Sequence, residues 1–178
     1  MKYYFEGIPI LKYGEIWDKY TDKERLQYAL GGLLYTPASN EKIVQTLLEQ
    51  KYPHLKAWAF CLEDSIQENG LLEAEKRLVD SLRQLNDAVL TKRLAISDMP
   101  LLFIRVRSAA HLARFYPQIA SYDHLLTGFI APKFEPQNMK DYGEWLKALN
   151  HNREFPLYLM PILESESIID LRQRLDNL

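Results

Sequence analysis

Five short apolar runs punctuate the chain: Gly32–Ala38 (GLLYTPA), Ala57–Asp64 (AWAFCLED), Leu101–Ser108 (LLFIRVRS), Thr127–Phe134 (TGFIAPKF) and Pro156–Glu164 (PLYLMPILE). Runs this brief and largely apolar predict strands, and the second, rich in Trp, Ala, Phe and Leu, predicts one buried on both faces. Between them the apolar spacing changes to that of helices. Ile43, Leu47 and Leu48 follow an Asn40 suited to capping and predict a helix over 41–50, broken by Tyr52-Pro53. Leu71, Ala74, Leu78, Leu82, Leu85 and Val89 predict a long helix over Leu71–Leu90. Shorter helices are expected at Lys23–Leu30, at Ala109–Phe115 before Pro117, at Asn138–Leu149 and over Ser167–Leu178. Strand and helix alternate throughout, which predicts an α/β fold with a parallel sheet and right-handed crossovers. Periodicity does not separate a doubly wound sheet from a barrel.

Residues 1–30 follow a different pattern. They are rich in aromatics (Tyr3, Tyr4, Phe5, Tyr13, Trp17, Tyr20, Tyr28) and interrupted by Gly7, Pro9 and Gly14. An N-terminal arm that packs its rings over the end of a domain spanning 31–178 is expected.

Composition narrows the class. With 178 residues, 47% hydrophobic and 26% charged, the chain is long enough to bury a core as one globular domain. The net charge is −2 and the lysines and arginines are scattered, so neither nucleic acid nor an anionic membrane is an expected partner. No apolar run approaches the roughly 18 residues of a membrane span, and the N-terminus lacks the apolar core and cleavage site of a signal peptide. The single cysteine, Cys61, excludes an internal disulfide framework. It lies inside a strand, where a small core residue is expected rather than a nucleophile. The cytoplasm is the expected compartment.

Charge gathers where the apolar runs stop. Glu63 and Asp64 close the second, Lys133 closes the fourth, and Glu164 closes the fifth. In parallel α/β folds these C-terminal strand ends are where chemistry sits. Alternation along an extended segment lets at most one of Glu63 and Asp64 face such a site, the other capping the following turn or pairing with an arginine. Arg105 and Arg107 alternate with Ile104 and Val106, so both are expected on one face, with Glu63, Asp64 or Glu164 as partners, since an unpaired buried charge is costly. They fit a substrate site or a purely structural ion-pair network. Lys133 fits an anion contact or a solvated side chain. Glu164 is a hard oxygen donor suited to Mg²⁺, with Glu166 a second ligand or a helix N-terminal acid. Neither a dinucleotide-binding nor a P-loop glycine pattern occurs. His54, His111, His124 and His151 show no metal-binding spacing and are expected at the surface.

Taken together, the strand ends LLYTPAS, FCLEDSI, IRVRS, IAPKFE and MPILESE resemble those of the HpcH/HpaI aldolase and citrate lyase β-subunit superfamily. Members of that family read LF-x-PG, LDLEDAV, RVN, LPK-x-E and I-x-x-IET in the same order. The resemblance covers Gly32 to about Asp170 and, with the aromatic lead-in, looks most like the C–C bond lyase branch of tellurium-resistance-type operons. It implies a TIM barrel with Mg²⁺ at its mouth, and a lyase making or breaking a carbon–carbon bond in a small anionic oxo- or hydroxy-acid or its thioester. It also implies a homo-oligomer, a trimer or dimer. By position Glu164 matches the metal-binding Glu, Arg105 the substrate-binding Arg, and Glu63 and Asp64 the acidic pair near the metal. The Pro37 turn matches a loop that helps relatives bind coenzyme A.

The departures carry expectations too. Arg107 stands where the family has Asn, which implies extra charge at the mouth and a more anionic substrate. Ala38 replaces the Gly after Pro37 and weakens the coenzyme A expectation. Only five βα units are counted where a TIM barrel has eight over about 250 residues. An incomplete barrel is therefore expected: a fragment, a truncated product, or a half completed by another copy. The family's second metal ligand, an Asp beyond the next strand, would fall after Leu178. A non-catalytic α/β barrel remnant, binding an anionic metabolite or a partner subunit, is the alternative.

Overall fold

The computed structural model describes residues 17–172 and Arg174. Residues 1–16 of the expected arm lie outside the described residues. The remainder of the arm forms helix α1 (Lys23–Ala29), which Asp22 opens by accepting the Glu24 N–H at 2.9 Å.

Five strands follow: β1 (Leu33–Pro37), β2 (Ala57–Cys61), β3 (Leu101–Arg105), β4 (Gly128–Ala131) and β5 (Tyr158–Pro161). All neighbours are parallel and the spatial order is β1-β2-β3-β4-β5. Each crossover thus lands on the adjacent strand, without the reversal of order that defines a doubly wound sheet. That progression is the winding of a TIM barrel, and the described residues contain five of its strands. Among the described residues β1 and β5 each have one strand neighbour, so the barrel is incomplete.

The two faces of the sheet are unlike. Trp58, Phe60, Leu102, Ile104 and Phe129 point outward into the main core, against α2 (Ile43–Leu48), α3 (Leu71–Leu90), α4 (Ala109–Ile119) and α5 (Pro136–Asn150). Ala57, Ala59, Leu101, Phe103 and Ile130 point inward, where Leu26 of α1 covers them. Beside α1 lies a cavity of about 210 Å³ bounded by Leu26, Leu30, Phe103, Tyr158 and Met160. Gly128 allows β4 and β5 to approach, because a Cβ there would lie 2.0 Å from the Tyr158 carbonyl oxygen. Among the described residues no helix is long and apolar enough to cross a membrane.

Local structure departs from expectation in four places. Helix α4 does not stop before Pro117 but runs through it to Ile119. Proline forfeits one backbone hydrogen bond there, while the burial of Leu112, Phe115 and Ile119 keeps the helix on the core. The Asn40 side chain does accept from the Lys42 N–H at 2.9 Å, yet regular helix begins only at Ile43. Helix α5 starts two residues early, with Pro136 in its first turn and a Glu135–Asn138 capping box. Of the helix expected over Ser167–Leu178, the described residues show one turn, α6 (Glu166–Ile169), a break at 170–172 and helical backbone again at Arg174, and the rest lies outside the described residues. Strands β2, β4 and β5 end two or three residues before Glu63, Asp64, Lys133 and Glu164, so those side chains stand on the loops that leave the sheet, whereas Arg105 is still part of β3.

Candidate active site at the C-terminal strand ends

Arg105 is the last residue of β3 and pairs in register with Cys61 of β2 and Ile130 of β4. It is inward-facing and 9% exposed. Three carboxylates gather on its Nη2: Glu63 at 2.6 Å, Asp64 at 2.9 Å and Glu164 at 3.2 Å. Only Glu164 lies in hydrogen-bonding geometry; the other two are ion pairs. One nitrogen with two hydrogens does not satisfy three acids. The Arg105 Nε, also buried, has no hydrogen-bond partner among the described residues.

The other groups close around this point. Lys133 Nζ lies 3.3 Å from Glu63 Oε1, and its backbone N–H donates to Glu164 Oε1 at 3.3 Å. It reaches that position with φ at +49°, a left-handed conformation that costs a lysine strain. The Asp64 N–H donates back to Glu63 Oε2 at 3.0 Å. Glu63 is buried between Arg105 and Lys133, whereas the side chains of Asp64 and Glu164 are 64% and 37% exposed. The mouth thus holds one protected acid and two open ones. Among the described residues three acids face two bases, so their balance is negative.

The structure brings Arg105, Glu63, Asp64, Lys133 and Glu164 together and separates Arg107 from them. Alternation ends with the strand: once the backbone leaves β2 after Cys61, Glu63 and Asp64 both turn to the same guanidinium, contrary to the expectation that one would face away. For the same reason Arg107 does not share the face of Arg105. Its Nε donates to the Leu62 carbonyl at 2.9 Å, and its terminal nitrogens donate to the Ile66 carbonyl and pair with Glu68. It spends its charge on the β2–α3 loop and adds none to the mouth. Pro37 ends β1 level with Cys61 and Arg105, marking the β1 side of the opening.

Two residues escaped the sequence reading. Tyr35 on β1 places its ring 5.6 Å from the Arg105 guanidinium carbon. It pairs with inward-facing Ala59, a relationship readable only once the register is known. Burial raises its hydroxyl pKa, Arg105 opposing that shift. His111 is not at the surface but buried, bonded to Glu75 of α3 at 2.9 Å. Its spacing with Leu112, Phe115 and Ile119 placed it on the apolar stripe of α4, a signal the surface expectation overlooked.

The family model of C–C bond lyases of the TIM-barrel fold matches residues 24–178, and the chain belongs to that family. A search of curated proteins finds no match.

Proposed function

We propose that the protein is a Mg²⁺-dependent carbon–carbon lyase acting on a small anionic oxo- or hydroxy-acid, and that it falls within the HpcH/HpaI aldolase and citrate lyase β-subunit superfamily. The observation that carries this reading is the negative balance of the mouth: Glu63, Asp64 and Glu164 share one guanidinium nitrogen, and among the described residues Lys133 is the only other base in contact with them. Such a cluster favours a further cation.

The donor chemistry fits Mg²⁺, which prefers carboxylate oxygens and keeps several waters. Among the described residues no three His, Cys, Asp or Glu side chains are grouped to hold an ion. The three acids are gathered on the guanidinium nitrogen rather than on a point an ion could share. Glu164, partly exposed and accepting from Arg105 and the Lys133 N–H through Oε1 alone, is the residue that would hold the metal, with water and substrate completing its shell. Bound there, Mg²⁺ would supply Lewis-acid polarisation of a carbonyl oxygen.

The chain's own residues do the remainder. Arg105 supplies fixed positive charge for a substrate carboxylate or enolate oxygen, and the Tyr35 ring packs against it. Lys133 and Arg105 hold Glu63 in place. Asp64, open to solvent, orients water at the mouth. The thioester form of substrate rests on the Pro37 turn alone, and Ala38 weighs against it.

The test is an assay of carbon–carbon cleavage over a panel of oxo- and hydroxy-acids, with Mg²⁺ or with a chelator. Turnover that disappears on chelation is expected. Turnover indifferent to chelation would remove the metal from the reading. Absence of turnover, with oxaloacetate or pyruvate bound equally well without Mg²⁺, would establish the non-catalytic module instead. The inner-face cavity does not favour that module's anionic ligand, since its walls are largely apolar.

A further inference from the structure

Behind the mouth, a chain of hydrogen bonds links the outer helices to the loop that carries Glu63 and Asp64. It begins at Glu75, 2% exposed on α3, which takes both terminal nitrogens of Arg114 and sits 2.9 Å from His111 Nε2. The opposite ring nitrogen, His111 Nδ1, accepts the backbone N–H of Arg107 at 3.0 Å. The Arg107 guanidinium then binds the loop at Leu62, Ile66 and Glu68, on both sides of the two acids. Ser108 completes the frame by accepting the His111 N–H at 3.0 Å, capping α4.

We propose that His111 is a positioning residue for the mouth: as a neutral imidazole protonated on Nε2, it accepts the Arg107 N–H and thereby aims the guanidinium that fastens the Glu63–Asp64 loop. The proposal rests on reading the mouth as the active site. The tautomer follows from the partners. A backbone N–H must meet an unprotonated nitrogen, so Nδ1 is the acceptor, and Nε2 carries the proton donated to Glu75. A second proton would have to enter at Nδ1, against the Arg107 N–H.

The charged groups facing the ring are Glu75 from α3, Arg114 from α4 and Arg107 from the β3–α4 connection, with the Phe115 ring alongside. Burial holds the imidazole pKa below the ordinary histidine value; Glu75 opposes that shift and the two arginines add to it. Burial would raise the Glu75 carboxyl, but the bonds from Arg114 and His111 outweigh it and leave the pKa lowered. Both effects keep the pair in the state the chain of bonds requires: Glu75 ionised, His111 neutral.

Two substitutions separate positioning from simple packing. His111→Asn keeps an acceptor near the Nδ1 position and gives up the Glu75 bond. His111→Gln keeps a donor near Nε2 and gives up the acceptor for Arg107. Amide hydrogen exchange of residues 62–68, measured on the full chain, is the readout, with the α3 amides as reference. His111→Gln is expected to speed loop exchange about tenfold, the scale of one lost hydrogen bond, while His111→Asn stays near wild type. Equal loop exchange in the two variants would overturn the proposal. Should His111→Gln fail to fold, Arg107→Lys replaces it: exchange over 62–68 is expected to rise while ¹⁵N shifts of His111 retain the Nε2–H tautomer. Unchanged exchange there, or a His111 proton on Nδ1, would equally overturn it. No metal or substrate enters these measurements. A loosened loop with unaltered turnover would therefore count against the active-site reading and leave the positioning intact.

Discussion

Two arginine–carboxylate clusters sit at opposite ends of the sheet. At the N-terminal end, Asp123 before β4 takes the Tyr116 hydroxyl and Arg153, and Arg153 also donates to Tyr116 at 2.7 Å. Lys19 closes the group by donating to the His124 carbonyl. One acid meets an arginine, a phenol and a nearby lysine, and the bonds form a closed triangle. At the C-terminal end, three acids crowd one guanidinium nitrogen while the Nε of the same arginine goes without a hydrogen-bond partner among the described residues. Ion pairs alone do not distinguish structure from function; balance does. The satisfied cluster holds the barrel floor together, and the unsatisfied one stands where barrel enzymes do their chemistry.

Substitutions at each end test this contrast. Arg105→Ala is expected to have the largest effect, lowering kcat/KM by about two orders of magnitude or more in a steady-state assay, the scale of losing a preorganised charge. Near-wild-type turnover would make the mouth cluster as structural as the floor. Asp123→Asn should do the reverse, lowering stability in urea by about 1–3 kcal/mol by weakening a part-buried charged network while leaving kcat/KM unchanged. A loss of activity in a fully folded Asp123→Asn protein would erase the contrast from the other side.

A smaller effect should appear in the pH dependence of stability. Burial lowers Lys19 to about 8, Asp123 opposing and Arg153 assisting. Above that pH the folded protein releases a proton that the unfolded chain keeps until about 10.5, so the Lys19 contribution makes stability rise with pH between these values. Tyr116, pushed up to about 12 by burial and by Asp123, acts oppositely: the unfolded phenol ionises near 10.0 and the folded one does not, so stability falls above 10. Urea midpoints are therefore expected to climb from pH 8 toward 10, and the climb should vanish in Lys19→Met. The same slope in both proteins would show that Lys19 is not held as its surroundings imply.

Much of the fold was legible because it is local. Leu71–Leu90 forms the expected helix over its whole length since its apolar spacing repeats through five turns. The apolar runs mark strands because both faces are covered in β2, β3 and β4. What sequence left open was non-local: strand order alone decides barrel winding against double winding. At the site, residue types at the strand ends located Arg105, Glu63, Asp64, Lys133 and Glu164. Their directions were not legible, because two-residue alternation lapses where strands give way to loops. That lapse joins Glu63 and Asp64 on one nitrogen and turns Arg107 away. Tyr35 and His111 depended on register and on helix–helix packing, which a linear pattern does not contain.

The most direct test of the mouth as a cation-seeking site is calorimetric titration with Mg²⁺ of the wild type, Glu164→Gln and Asp123→Asn. Binding in the wild type, kept in Asp123→Asn and abolished in Glu164→Gln, is the expected result. Equal Mg²⁺ affinity in the wild type and Glu164→Gln would contradict it.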